Sequence, residues 1–398
     1  MIGHLLRLVW NRKRSNALIV AEILASFLVT FAVMTAVVTF ASNWLRPVGY
    51  EWRNVWSVGL GIDFESIQQP TPELREAVMR MVREAESFPE VLGAAISTTP
   101  PFAGSTSEHQ REIEGRPVTY VVDEVSDGFA RVMEMQVISG RWFGPADDGS
   151  PNLPVVIDAT FAADVYPGVD PVGRLLTGDS GEVQVPLEIV GVVSAYRKDG
   201  ELSMPVNTMF QRIAPAAEGS IGGSIVVKVR PGTSPVFEQK LLERLQAVAP
   251  EVSLRVRSLE QGRARTLRAV IAPLLAGAIV ALFLILMVGL GLTGVLWQNV
   301  TRRTREIGLR RAMGATGLAV HRQILLEVLL LTTFALAAGA AIVLQLPILG
   351  AFKIVSPAAF SAGLVAGLVT IYSLAVLCAL YPSWLASRLQ PADALRSE

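Results

Sequence analysis

The sequence predicts a helical membrane protein with four transmembrane helices, arranged as one plus three. A large α+β extracytoplasmic domain is inserted after the first helix. Three observations predict it: four uncharged apolar runs, each as long as a bilayer crossing; a mixed strand-and-helix region at 46–262; and arginine clusters at one set of run ends. Composition agrees, with 51% hydrophobic and 18% charged residues in 398, below the roughly 25% charged of soluble domains. Mean hydropathy is +0.44. Net charge is zero and the basic clusters flank apolar runs, so no nucleic-acid partner is expected.

A bilayer core needs about 20 apolar helical residues. Ile23–Leu45, Ala269–Thr301, Val328–Phe352 and Ile354–Ser387 carry no more than that length requires of charge, namely none. The first run is preceded by Arg7, Arg12, Lys13 and Arg14, as in a signal peptide. It is too long for a signal h-region and lacks a clear cleavage site, so it reads as an uncleaved anchor. Ahead of it, Ile2, Leu5, Leu6 and Val9 have helical spacing, and 1–16 reads as an amphipathic helix on the inner membrane surface or as a plain basic flank. Transmembrane helix 1 is then 17–45.

Lysine and arginine set the orientation. The N-terminal flank is basic, as are the 301–322 segment (Arg302, Arg303, Arg305, Arg310, Arg311) and the 388–398 tail, whereas the last extracytoplasmic loop holds only Lys353. Both termini are therefore expected in the cytoplasm. Arg263, Arg265 and Arg268 fall outside, after a long domain where the rule is weak. Trp10, Trp44, Trp52, Trp297 and Trp384 stand near run ends, the headgroup level that amphipathic rings prefer.

In the outer domain, Thr71–Phe88 has helical spacing with Thr71 as N-cap, and Ser234–Val248 is a second helix. Strands are expected at Val91–Ser97, Val118–Val125, Val155–Ile157, Leu187–Val193, Ser224–Val229 and Val252–Val256. Pro100–Gly104 and Gly144–Pro154 read as loops, with Asp147 and Asp148 solvated. The polar segment 257–268 runs into the second apolar run without a proline, so 263–300 is expected to be a stalk and transmembrane helix 2 in one helix. Helices 3 and 4 are expected at 323–352 and 354–387.

The sequence carries no visible catalytic constellation. It lacks a phosphate-binding loop. His4, His109 and His321 have no ligand spacing; His109 reads as a loop residue and His321 as near the inner interface. The lone Cys378 permits no intrachain disulfide. No catalytic, cofactor or metal residue is expected on this chain. Gly289, Gly291 and Gly294 spell a dinucleotide-type string, but inside an uncharged membrane run; Gly289, Gly363 and Gly367 read as helix-packing positions. Glu22, the one acid just inside an apolar run, either reaches headgroups or is buried against a neighbouring helix or subunit.

The segment Thr301–Thr316 is the most informative. Glu306 precedes Arg310 by four residues, the favourable order for a helical ion pair. Leu309 and Met313 form an apolar ridge, and Gly314 ends the short helix. Such a segment suits a partner's groove, or serves only as a topology anchor.

Here the chain resembles the MacB/FtsX-like ABC permease family. Thr304–Thr316, T-R-E-I-G-L-R-R-A-M-G-A-T, is similar to that family's cytoplasmic signature. The ending Tyr381–Arg396 and the outer segments Pro154–Asp158, Asp170–Arg174 and Glu188–Arg197 resemble its tail and its MacB-type periplasmic domain. The resemblance implies a non-catalytic subunit of the bacterial inner membrane. A separate ABC ATPase, holding ATP and magnesium, would dock on Arg305, Glu306, Ile307, Gly308, Arg310, Arg311 and Gly314. It also implies pairing with a second permease copy or paralogue, and in some members a periplasmic adaptor and outer-membrane channel. Mechanotransmission for efflux is the expected function. The alternative is a signalling scaffold for a periplasmic partner such as a cell-wall hydrolase.

Overall fold

The computed structural model describes residues 13–176, 186–213, 219–302, 309, 313, 316–350 and 355–388. The chain divides into two compact units, Met1–Ser42 with Val270–Glu398, and Asn43–Ala269. The expected N-terminal amphipathic helix and most of the C-terminal tail lie outside the described residues.

Helix α1 spans Lys13–Trp44. The outer domain then begins with β1 (Val55–Gly61), α2 (Phe64–Gln68) and α3 (Pro72–Glu86). Helix α3 starts where expected: the Thr71 hydroxyl accepts from Leu74 N at 3.3 Å, and Pro72 sits at the first turn, where its missing N–H costs nothing. Strands β2 (Val91–Ser97), β3 (Glu108–Ile113) and β4 (Arg116–Val125) follow, then the turn α4 (Phe129–Val132) and β5 (Val137–Gly140). Next come β6 (Leu153–Asp158), α5 (Ala159–Val165), β7 (Leu175–Leu176), β8 (Leu187–Val193) and β9 (Thr208–Arg212). The domain closes with β10 (Ser224–Val229), α6 (Val236–Val248) and β11 (Ser253–Ser258). Three long helices complete the chain: α7 (Leu259–Arg302), α8 (Gly317–Gln345) and α9 (Pro357–Arg388).

The strands form one sheet in the order β11-β1-β10-β2-β4-β9-β6-β8-β5, with β3 on β4 and β7 on β8. Pairing is antiparallel except for β4 with β9 and β6 with β8. One half of the sheet carries α3 and α6 on its face: Val58, Ile225, Val227 and Val229 meet Val78, Met81, Leu241 and Leu245. The other half packs α5 through Phe161 and Val165 onto Val155, Ile157 and Ile189. A third cluster joins Val226 and Val55 to Phe129, Tyr196 and Phe210. Strand β10 is thus buried on both faces, which its apolar centre Ile225–Val227 reflects, although it also buries Ser224 and Lys228.

The structure moves several expected boundaries. The last strand is Ser253–Ser258 rather than Val252–Val256, because Arg257 and Ser258 still pair with Ser57 and Trp56. The long helix therefore starts at Leu259, and it is unbroken to Arg302. Helix α8 starts earlier than expected, at Gly317, because the Thr316 hydroxyl caps it by accepting from Ala319 N at 3.3 Å. It stops at Gln345, before Pro347, which has no N–H to continue it. Helix α9 starts at Pro357, with the Ser356 hydroxyl accepting from Ala359 N at 3.2 Å.

Two side-chain readings are corrected. Asp147 is not a solvated loop acid: it is 8% exposed, accepts from Gly144 N at 2.9 Å, and is gripped by both terminal nitrogens of Arg141 at 2.5 and 2.8 Å. The Arg141 hydrogen bonds hold its carboxyl below the usual range. Its neighbour Asp148 stays open to solvent but pairs with the buried Arg212 at 2.7 Å. His109 is a strand residue of β3, not a loop residue, and its ring stacks on Tyr120 with centroids 6.0 Å apart.

Candidate functional site

The expected coupling segment lies mostly outside the described residues: this holds for Arg305, Glu306, Ile307, Gly308, Arg310, Arg311 and Gly314. The two members of the apolar ridge are described. Met313 N donates to Leu309 O at 3.0 Å, the hydrogen bond of one helical turn. Both side chains are exposed, Leu309 at 53% and Met313 at 74%. An apolar pair so open to its surroundings is available to a partner.

In the membrane unit, α1 is the central packing element. Ile19, Ile23, Phe27 and Phe31 are buried among residues of α7, α8 and α9. Close approach requires a bare position at Gly363, whereas Gly367 and Gly289 leave room for an ordinary contact. A methyl at Gly363 would lie 2.8 Å from Thr35 Cα, and one at Gly367 3.5 Å from Phe31 Cα. One at Gly289 would stand 3.5 Å from Cys378 Sγ. Sequence reading passed over Gly339, where a methyl would lie 2.9 Å from Phe27 Cε1. Glu22 is half-buried and directs its carboxylate toward α7, where a methyl on Gly291 would meet Oε2 at 3.0 Å. This places the acid against a neighbouring helix.

The outer unit contains a clamp that sequence reading missed. Arg197, only 1% exposed, lies in the loop after β8. Its Nη1 donates to Asn43 O at 2.8 Å and Arg46 O at 2.9 Å, which are the end of α1 and the residues after it. Its Nη2 donates to Gly200 O at 3.3 Å and to Glu201 O, and its Nε to Ser203 O at 3.3 Å. Asn43 adds Nδ2 to Leu202 O at 3.4 Å. Glu201 in turn pairs with Arg263 of α7 at 2.7 Å. The Arg263 guanidinium lies 4.5 Å from the Trp52 ring centroid and 5.8 Å from that of Trp44. One loop, 197–204, therefore holds both the chain leaving α1 and the first turns of α7. A planar guanidinium with five donors can bind several carbonyls at once, which an ammonium cannot.

Above the clamp lies a buried acid. Asp123 accepts from Ser97 Oγ at 3.0 Å and Thr99 N at 3.0 Å. Burial pushes its pKa up to about 6, while the nearby Lys198 pulls it back. Lys198, whose own pKa burial lowers, donates to Ser105 O at 2.5 Å, and its carbonyl accepts from Phe102 N at 3.3 Å. The 98–107 loop is thereby tied to the clamp loop itself. Among the described residues no group of three or more His, Cys, Asp or Glu is placed to hold a metal.

Comparison with known proteins agrees with this architecture. Residues 17–266 match the MacB-like periplasmic core domain, and residues 278–391 match the FtsX-like permease C-terminal domain. The macrolide export ATP-binding/permease protein MacB of Shewanella sp. (strain W3-18-1) is 25% identical over 297 residues, covering 71% of this chain and 44% of that protein. The ABC transporter permease YknZ of Bacillus subtilis (strain 168) is 27% identical over 317 residues, covering 74% of each. The periplasmic region of MacB from Actinobacillus actinomycetemcomitans superposes with a TM-score of 0.38 at 16% identity, over 55% of this chain and 94% of that one. The chain thus spans less than half the length of the MacB relative.

Proposed function

Because this chain belongs to the family of MacB-like and FtsX-like ABC transporter permeases, we propose that it is a mechanotransmission permease subunit. ATP hydrolysis by an associated ABC ATPase would be converted into movement of the outer domain, in the service of efflux. The relatives named for export favour the efflux direction over a scaffold role. In this reading both termini and the 301–322 segment face the ATPase, and residues 46–262 face outward.

The observation that carries the proposal is the Arg197 clamp. A machine that transmits motion needs the chain entering and leaving its outer domain fixed to that domain. Arg197 and Arg263 join the end of α1 and the start of α7 to one loop, with buried charge-assisted hydrogen bonds. The exposure of Leu309 and Met313 supports an apolar ATPase contact, and in this reading the coupling residues of the same segment are Arg305, Glu306, Ile307, Gly308, Arg310, Arg311 and Gly314. Helix α7 leaves most of its apolar length uncovered by the rest of the chain, more than the other three spans do. That uncovered surface supports a dimer with a second permease.

The first experiment is purification of the tagged chain from its native host in mild detergent. A stoichiometric ABC ATPase in the eluate is expected; the chain emerging alone under several gentle conditions would sink the proposal. With the ATPase in hand, E306K/G314L should leave ATP hydrolysis running while abolishing ATP-dependent distance changes between outer domains.

A further inference from the structure

Opposite the layer formed by α3 and α6, the sheet has a second face at its β11 edge. Across the β1–β11 pair, Ser57 stands opposite Arg257, Gly59 opposite Arg255, and Gly61 opposite Ser253. Side chains alternate along a strand, so these positions share one face. Strand β10 adds Ser224 beside Gly59. Small residues thus make the floor, and two arginines stand over it. The Phe102 loop and the first turn of α7 close the far side, where Phe102 packs on Gly262.

The result is a cleft of about 430 Å³ that also receives Arg265. Among the described residues, no aspartate or glutamate lines it, and none of its three arginines makes a salt bridge. The nearest acid in sequence, Glu260, turns its carboxylate to Asn54 N at 3.2 Å instead. The first turn of α7 adds the positive end of a long helix. Three exposed arginines around one concave surface give it a positive potential that favours an anion.

We propose that this cleft binds a phosphate group carried on a partly apolar molecule. The guanidiniums match phosphate oxygens in pairs, the serine hydroxyls satisfy the rest, and Pro100 and Phe102 give an apolar wall. Two sources share this chemistry. One is a phospholipid headgroup, since Arg265 stands four residues before the uncharged run that begins at Ala269. The other is a water-soluble phosphate ester.

The test uses the full chain. In one arm it is reconstituted in phosphatidylcholine nanodiscs with graded phosphatidylglycerol, and retained lipid is counted by native mass spectrometry. In the other, glycerol 1-phosphate is titrated calorimetrically into the chain in neutral detergent. R255Q/R257Q should weaken whichever probe binds by at least about tenfold, while R83Q on α3 changes nothing. S57E keeps the arginines but places a carboxylate between them, and should also abolish binding; thermal midpoints near wild type show that both variants are folded. Retention of phosphatidylglycerol assigns a headgroup, and heat from glycerol 1-phosphate assigns a soluble ester. If wild type binds neither probe, or R255Q/R257Q binds as well as wild type, the proposal is overturned, and the arginines only guard an edge strand against pairing.

Discussion

Replacing Arg197 by methionine keeps most of the side-chain volume and removes the guanidinium. Five backbone carbonyls lose their donor: those of Asn43, Arg46, Gly200, Glu201 and Ser203. Each hydrogen bond to a charged group contributes about 1.5–3 kcal/mol, and the substitution also relieves the desolvation of a buried cation. Allowing for that relief and for water replacing the exposed partners, a net loss of about 4 kcal/mol is expected. For a domain of this size, 1 kcal/mol corresponds to about 2–4 °C, so the outer unit should melt about 8–16 °C lower. Differential scanning fluorimetry in detergent reads the midpoint, and hydrogen exchange with mass spectrometry reads the local effect. Amides in the peptides covering 43–46 and 197–204 should lose protection first. R197K, with one ammonium in place of a five-donor fork, should recover less than half of the loss. A shift under 2 °C with unchanged exchange at those peptides would refute the clamp, and with it the observation that carries the proposed function.

Three further outcomes are expected. G363L should destabilise the membrane unit by about 1–3 kcal/mol through overpacking against Thr35, whereas G294A, where a methyl meets nothing within 4 Å, should be neutral or stabilising; graded SDS unfolding compares them. The Asp123 carboxyl titrates at about 6 in the folded chain against an ordinary value of 3.8, so it favours folding below 3.8 and loses that contribution as pH rises through about 6. D123N should remove a pH-dependent component of about 3 kcal/mol between pH 4 and 7, read as the difference between the two chains' urea midpoints. R212M leaves Asp127 and Asp148 without the buried guanidinium that now binds both at 2.7 Å, and should cost about 3–5 kcal/mol by the same urea assay.

Much of the architecture was legible because the physics that sets it is local. An uncharged run of bilayer length must be a helix there, whatever surrounds it. Capping is equally local: Thr71 before Pro72 marked the start of α3 by residue type alone. Strands Val91–Ser97, Leu187–Val193 and Ser224–Val229 were visible as apolar runs because both faces, or nearly so, are buried. Strands β1, β3, β5, β7 and β9 were not, because pairing with their neighbours holds them rather than a run of their own. Asp147 was misread for the same reason: its partner Arg141 is drawn in by the fold of the loop, not by any spacing rule.

The sequence by itself determined four membrane spans, an outer domain placed after the first, and the family signature at Thr304–Thr316. The tertiary structure decided which small residues meet which helix, so that Gly363 lies on Thr35 while Gly294 faces open space. It also decided that Arg197, one arginine among many, joins segments that lie more than 150 positions apart in the chain. Its partners there are backbone carbonyls, which every residue carries alike, and only the folded path of the chain selects the five that one guanidinium can reach.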